Sequence, residues 1–178
     1  VGAVPTARGH RTLRLHGPPQ HPHQSQGPVE ATIGVDRGIF AANKLALEIA
    51  IGRTLPLGHI VWSWLARHIG WLITCFNTAL DGLAPYQRLF GRPYSGPICK
   101  FGEHVRYKRE GRLSGRVEAR WDLGVWLGKQ LTTDEHILGT PSGAHGSRSI
   151  ERMPAEQGFS YDAVARIEGA PLSSHLIV

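Results

Sequence analysis

Apolar residues recur at helical spacing along residues 28–51, and this periodicity predicts the first helix of the chain. Five of them share one face at steps of three or four residues: Val35, Ile39, Ala42, Ala46 and Ile49. Pro28 suits the first turn, because its φ angle is fixed and its missing N–H group is not needed there. Gly52 marks the expected end of the helix, and the apolar stripe is the side that we expect to be buried.

A second helix is predicted over residues 59–78, where apolar side chains surround the helix axis almost completely. This pattern is typical of a buried helix, so we interpret its aromatic residues as core rather than as a platform for stacking bases. The predicted core residues are Trp62, Trp64, Trp71, His68 and Cys75. Polar side chains interrupt the stretch at Ser63 and Arg67, which argues against a membrane span.

The next segment predicts a short helix and then a boundary. Pro85 can begin a helix and Gly91 can end it. Residues 91–97 are rich in Gly and Pro, so we expect one domain to end near residue 93 and the next to begin near residue 98.

Residues 98–154 change from helical to β character. Short alternating runs bounded by glycines predict strands within 101–108, 125–128, 135–138 and 147–153, with a turn at 111–115 and a loop at 139–146. Short strands with Gly-rich turns suggest a small barrel. Residues 1–20 and 155–178 lack such patterns and are predicted to be loop or disordered.

Positive charge is concentrated in the predicted β region. The whole chain carries a net charge of +6 with a pI near 9.8. Three acidic residues between positions 100 and 120 face seven cations: Lys100, Arg106, Lys108, Arg109, Arg112, Arg116 and Arg120. Beside Tyr107 and Trp121, such a cluster could bind a phosphate backbone without reading base sequence. A hairpin charged only for solubility is the alternative interpretation.

A second charged face lies on the first predicted helix. Glu30, Arg37 and Lys44 are spaced by seven residues, and no Asp or Glu precedes Glu30. Glu30 could hold a metal ion while Arg37 and Lys44 contact nucleic-acid phosphates. Spacing alone favours the alternative, a first-turn carboxylate stabilised by the helix dipole on an ordinary solvated face.

Motifs for other chemistry are absent from the sequence. Cys75 and Cys99 form neither a C-x-x-C pair nor a zinc set. The chain has no P-loop, dinucleotide fingerprint, G-x-S-x-G or H-E-x-x-H motif. We therefore expect no small-molecule substrate.

The run Gln24, Ser25, Gln26, Gly27, Pro28, Val29 and Glu30 resembles part of the integrase core of retroviruses and copia-type retrotransposons. In that resemblance Gln24–Gly27 match the mobile active-site loop and Glu30 matches the third catalytic carboxylate. Further matches follow in the same order. The segment that closes the core is matched at Pro85, Tyr86, Gly91 and Pro93, with Ala84 and Gln87 where Thr and Glu are usual. The small region after the core is matched at Phe101, Gly102, Val105, Trp121, Gly124, Leu127, Gly128 and Arg152.

The resemblance implies a fold class and a division into domains. Residues 21–93 would be the carboxyl-terminal part of an α/β ribonuclease-H-like core, of which only the last helices are present. Residues 98–154 would be a small all-β, SH3-like barrel that binds nucleic acid.

The resemblance also implies a function in DNA integration. The family transfers polynucleotides with two Mg²⁺ (or Mn²⁺) ions held by two Asp and one Glu, so Glu30 would be a metal ligand. The two Asp lie upstream of this Glu in the family, so we expect the isolated chain neither to cleave nor to join DNA. The implied partners are DNA and a further copy of the chain, bound through the core. The implied compartment is the nucleus. A non-catalytic basic module, or an inactive retroelement relic, is the alternative.

Overall fold

Residues 27–109 and 121–171 are described by this computed structural model, and for residues 27–33, 35 and 36 the description covers the backbone alone. The predicted loop at 1–20, the predicted turn at 111–115 and residues 172–178 lie outside it. The chain divides after Gly34 into two compact units, and the side chains discussed below belong to the second unit, Val35–Val178.

Three helices precede the sheet, as the sequence predicts. They are α1 (Gly27–Ile51), α2 (Val61–Phe76) and α3 (Pro85–Phe90). Pro85 lies in the first turn of α3, and Gly91 ends that helix with a φ of 70°, a conformation that favours glycine. None of the helices in the described part of the chain is long and apolar enough to cross a membrane.

The buried face of α1 is not the predicted stripe. Leu47 is buried in the core, and Ile39, Phe40 and Ile51 pack against it. Ile49, together with the alanines of the predicted stripe, is exposed instead. The buried face shares Ile39 with the predicted stripe, but Leu47 replaces the alanines on it, and burying Leu47 removes more apolar surface from water than burying an alanine would. Leu45 and Ile49 stay exposed. The predicted stripe is wrong by about one residue of rotation.

Helix α2 is largely buried, as predicted. Trp62, Trp64 and Trp71 are buried, and so are His68 and Cys75. The helix packs on one face of the sheet, where it shares a core with Phe101, Val125 and Leu127 among others. The predicted domain boundary at residues 93–98 therefore lies between two parts that share one hydrophobic core. The division into separate domains stays a prediction.

Five strands form one antiparallel sheet, where the sequence predicts four. They are β1 (His104–Lys108), β2 (Trp121–Lys129), β3 (His136–Thr140), β4 (Gly143–Ser147) and β5 (Ile150–Arg152), in the order β4-β3-β2-β1-β5. Strand β4 falls in the predicted loop at 139–146, which is therefore a correction. It forms because all five of its residues pair with β3.

The sheet is not closed into a barrel, so that part of the predicted fold is wrong. Strands β4 and β5 are its two edges, although only Arg148 and Ser149 connect them. The Ser147 hydroxyl lies 2.9 Å from the carbonyl oxygens of both Lys108 and Ser149, and its single proton is donated to one of them or shared between the two. Ser147 of β4 thus contacts β1 and the connection to β5 through a side chain, not through a strand ladder with β5. The ribonuclease-H-like arrangement of the preceding helices stays a prediction.

The two faces of the sheet are both covered, by different clusters. One face packs against α2. The other holds a smaller cluster built from Val105, Tyr107, Trp126 and Leu138. Alternation along β1 explains this, because Val105 and Tyr107 point to one face while Arg106 and Lys108 point to the other.

The predicted disordered tail is wrong for residues 155–171. A short 3₁₀ helix (Ala155–Gln157) is followed by α4 (Tyr161–Ala165). Val164 and Ile167 are buried in the same core as α2. The Ser160 hydroxyl accepts a hydrogen bond from the Ala163 N–H and so caps α4. The segment is ordered because it contributes apolar side chains to the main core.

Candidate nucleic-acid interface

Strand β1 places two of the predicted basic residues side by side on an exposed surface. Arg106 and Lys108 alternate with the buried residues Val105 and Tyr107, so both cations point to the same face. Neither has a carboxylate partner among the described residues. Their charges are therefore available to an anion.

Strand β2 supplies the apolar neighbours of these cations. Lys108 is paired with Trp121, and Arg106 is paired with Leu123. Directly opposed residues of antiparallel strands share a face, with Cβ atoms about 5 Å apart. Trp121 and Leu123 are 38% and 47% exposed. These four residues form one surface, which we call the β1–β2 patch.

The patch lies where the covering layer of helices ends. Further along β2, the same face is buried, at Val125 and Leu127. Between the patch and α4 there is a groove of about 300 Å³, lined by Leu123, His104 and Arg166 among others. Burial lowers the pKa of His104. The groove extends the accessible surface from the patch toward Arg166, a further cation directly after α4.

Strand β5 borders the patch on its other side. Glu151 is the cross-strand neighbour of Arg106, but no ion pair joins them within the described residues. Arg152, the next residue, is bound instead to the buried Glu103 carboxylate, at 2.5 Å from Nε and 3.0 Å from Nη2. These hydrogen bonds raise the pKa of Arg152. Arg152 therefore fixes β5 to the start of β1 and is already neutralised.

Tyr107, expected beside the basic cluster, faces the other way. Its side chain is buried, and its ring stacks on His145 at a centroid distance of 6.0 Å. Arg109 is exposed just after β1. Burial lowers the pKa of His145, and the positive charge of Arg109 lowers it further. Tyr107 is thus a core residue, and Arg109 lies near the opposite face from Arg106.

The other predicted cations are separated from the patch. Lys100 lies before β1, at the far end of the strand from Lys108, and lines a cleft beside α1. The Lys44 ammonium lies 2.6 Å from Glu48 Oε2 and 5.1 Å from the centre of the Trp62 ring. This contact with Lys44 is the main cause that lowers the pKa of Glu48. Lys44 is therefore already engaged.

Arg37 is exposed on α1. Other predicted site residues lie outside the described part of the chain, among them Arg112, Arg116 and Arg120. So do Gln24, Ser25 and Gln26 of the predicted active-site loop. Gly27 and Glu30 belong to α1, but the Glu30 side chain is not described. These assignments stay predictions.

No metal site is formed by the residues whose side chains are described. Among them, no three His, Cys, Asp or Glu side chains lie close enough together to hold an ion. The two-metal site that the integrase resemblance implies, with Glu30 as one ligand, stays a prediction.

The sequence analysis did not identify Leu123 as part of the candidate interface, nor the groove that Leu123 lines. The pairing of Lys108 with Trp121 was also not foreseeable, because the two residues are separated by a connection whose length does not fix the register. The available signal was the alternation on β1, which points Arg106 and Lys108 outward together.

Comparison of the chain with protein-family models, with curated proteins and with solved structures gives no significant match. The integrase resemblance therefore rests on the motifs named above.

Proposed function

We propose that this chain is the carboxyl-terminal part of a retroelement integrase and that it binds nucleic acid through the β1–β2 patch. The order of the motif matches supports the first half of the proposal: the Gln24–Glu30 run, then the Pro85–Pro93 segment, then the glycine and aromatic positions of the β region. The second half rests on one observation. Arg106 and Lys108 share an exposed face without carboxylate partners among the described residues.

The expected binding mode is electrostatic and tolerant of base sequence. Cations that contact phosphates release counterions from the nucleic acid, so affinity falls steeply with salt. Each phosphate contact contributes about 0.9 to the slope of log affinity against log salt on duplex DNA. Loss of one contact should therefore weaken binding roughly tenfold at ~0.1 M salt. The two cations of the patch therefore contribute about two units of slope, and a contact from the neighbouring Arg109 would add about one more.

The test compares two triple variants with the same loss of charge. The first replaces the two cations of the patch, Arg106→Ala and Lys108→Ala, together with Arg109→Ala, the exposed cation that directly follows β1. The second replaces exposed cations elsewhere: Arg53→Ala, Arg88→Ala and Arg148→Ala. Arg88 and Arg148 are paired with Asp81 and Glu135, and Arg53 lies over the Tyr161 ring. Affinity for a duplex of random sequence is measured over a range of salt concentrations.

We expect the first triple variant to lose affinity about a hundredfold or more and two to three units of salt slope. The second should change much less, although the net charge falls equally. Equal losses in both variants would show that net charge, not the patch, determines binding. Unchanged affinity in the first variant would refute the patch as the binding surface.

The catalytic half of the family's function is a separate matter. Glu30 would be the third carboxylate of a two-metal site, with Mg²⁺ or Mn²⁺ present only if the two Asp are supplied. The reading frame upstream of Val1 tests this. Two Asp on strand-like segments there would support Glu30 as a ligand, and unrelated sequence there would leave only the binding function.

A further inference from the structure

Trp121 is an exposed aromatic residue beside the two cations of the patch. It is cross-strand neighbour to Lys108, and Arg106 lies two residues along β1 on the same face. Leu123 follows Trp121 on that face of β2, about 7 Å away along the strand. The aromatic ring thus lies beside two cations and the apolar Leu123, while Glu151, on the far side of Arg106, is the acidic residue that borders this surface.

The Trp121 ring is 38% exposed. Among the described residues, no ring stacks on it and no cation lies over it, in contrast to Trp62, Trp64, Trp71 and Trp126. Single exposed apolar residues are common on protein surfaces. What distinguishes Trp121 is its position beside two cations without carboxylate partners, a combination that matches the two chemical parts of a nucleotide.

We infer that the ligand of the β1–β2 patch is single-stranded nucleic acid, with a base stacked on Trp121 and the flanking phosphates held by Lys108 and Arg106. This inference rests on the proposed nucleic-acid binding and makes it more specific. Bases in a duplex already stack on one another and present only their edges in the grooves. A side chain on the surface of a sheet can reach the face of a base only in an unpaired strand, as in other single-strand binding surfaces.

The surroundings of the patch fit an extended strand. Leu123 continues the apolar surface from Trp121 to the groove beside α4, whose lining also includes the exposed Arg166 and Asp162. A second base could therefore follow the first along β2, with Arg166 near the next phosphate. Stacking of this kind tolerates any base, because every base has an aromatic face.

The experiment uses the full chain and three ligands of equal length, about 20 nucleotides. They are oligothymidylate, an abasic strand with the same phosphates but no bases, and a duplex. Affinities are measured for wild type and for Trp121→Leu, Trp121→Phe and Phe90→Leu. Phe90 is a matched control, since it is an exposed aromatic residue (45%) on α3. Thermal unfolding confirms that each variant is folded.

We expect wild type to bind oligothymidylate at least tenfold more tightly than the abasic strand, a difference of about 1.4 kcal/mol. Trp121→Leu should abolish that difference, Trp121→Phe should keep most of it, and Phe90→Leu should not change it. Affinity for the duplex should be nearly the same in all four proteins.

Equal affinity of wild type for oligothymidylate and the abasic strand would overturn the inference, whatever the folding of the variants. So would a Trp121→Leu variant that loses affinity for duplex and single strand alike. In both cases salt-dependent binding through Arg106 and Lys108 would survive as the proposed function. Absence of salt-dependent binding to all three ligands would refute the proposed function, and the inference with it.

Discussion

Two buried histidines should make the stability of this protein depend strongly on pH. His68, on α2, is 3% exposed, and its ring stacks on Trp71 and Phe101 at centroid distances of 5.8 and 5.4 Å. Burial, and then the nearby Arg67, lowers its pKa to about 4. His68 is therefore neutral at pH 7, in an aromatic environment that offers no counter-charge.

His136, on β3, is neutral for a related reason. It is 5% exposed, and its Nδ1 atom accepts a hydrogen bond from the Trp126 indole N–H at 3.0 Å. Burial, and then Lys129, lowers its pKa to about 4, while Asp134 opposes the shift. Protonation at Nδ1 would remove the acceptor, so the charged form loses this hydrogen bond as well as hydration.

The direction of the effect follows from proton linkage. A histidine of the unfolded chain has a pKa near 6.5, so acid protonates the unfolded state before the native state. The stability that the two neutral rings contribute is present above about pH 6.5 and is lost as pH falls toward 4. A shift from about 6.5 to about 4 corresponds, between pH 7 and pH 5, to roughly 2 kcal/mol for each ring and ~4 kcal/mol for both. This is a large part of the ~5–15 kcal/mol that stabilises an ordinary domain.

Urea unfolding at about pH 7 and pH 5 measures the loss. Carboxylates and other histidines also titrate in this range, so the informative quantity is the difference between wild type and a double variant. His68→Leu replaces the imidazole by an apolar side chain. His136→Gln keeps an uncharged side chain whose carbonyl oxygen can accept from Trp126.

We expect the double variant to lose roughly 4 kcal/mol less than wild type between the two pH values, whatever its stability at pH 7. Each single variant should remove about half of that difference. If the double variant and wild type lose equal stability on acidification, the two rings are not the groups that titrate, and the reasoning fails.

Two further predictions concern groups buried elsewhere. The Lys129 ammonium, 1% exposed, lies 2.8 Å from Asp134 Oδ1, so Asp134→Asn should destabilise the fold by about 3 kcal/mol in urea unfolding, and adding Lys129→Met should restore most of it. Asn is chosen because Asp134 has a φ of 58°, which Asn tolerates. Only Lys129 of this pair is buried, since Asp134 is 52% exposed, and a loss below ~1 kcal/mol would show that the buried ammonium does not depend on Asp134. Val164→Ala on α4 should lower the free energy of unfolding by about 2 kcal/mol in the same assay. The control, Glu156→Ala at an exposed position, should lower it by less than ~0.5 kcal/mol. Equal losses would mean that α4 does not contribute to the core.

The helices were predictable because their signals are local. The periodicity of α2 and the Pro85 and Gly91 boundaries of α3 are visible in the sequence and agree with the structure. Strand β4 was not predictable in this way, since Gly143–Ser147 contains two glycines and no β-branched residue. It is a strand because β3 pairs with it. Helix α4 had a local signal that was overlooked, a capping Ser160 followed by an acidic first turn.

The candidate interface depends both on local sequence signals and on the pairing of strands that are distant in sequence. Alternation along β1 is local, and it suffices to point Arg106 and Lys108 to one face. The face on which Trp121 lies, and the residue that opposes it, depend on the pairing register of β2. A shift of one residue in that register would exchange Trp121 for Asp122 beside Lys108 and replace an aromatic neighbour by a carboxylate.

Charge composition predicts a basic protein but not the location of its usable charge. Lys44, Lys129 and Arg152 each lie against a carboxylate, so they add little to the field that an approaching anion meets. Arg106 and Lys108 have no such partner among the described residues, although their sequence neighbourhood is no more basic than that of Arg112 or Arg116. The fold makes this selection through the partner strand, since the residues opposite them are apolar except for Glu151. A net charge of +6 therefore becomes a local binding surface only where side-chain pairing leaves adjacent cations unneutralised.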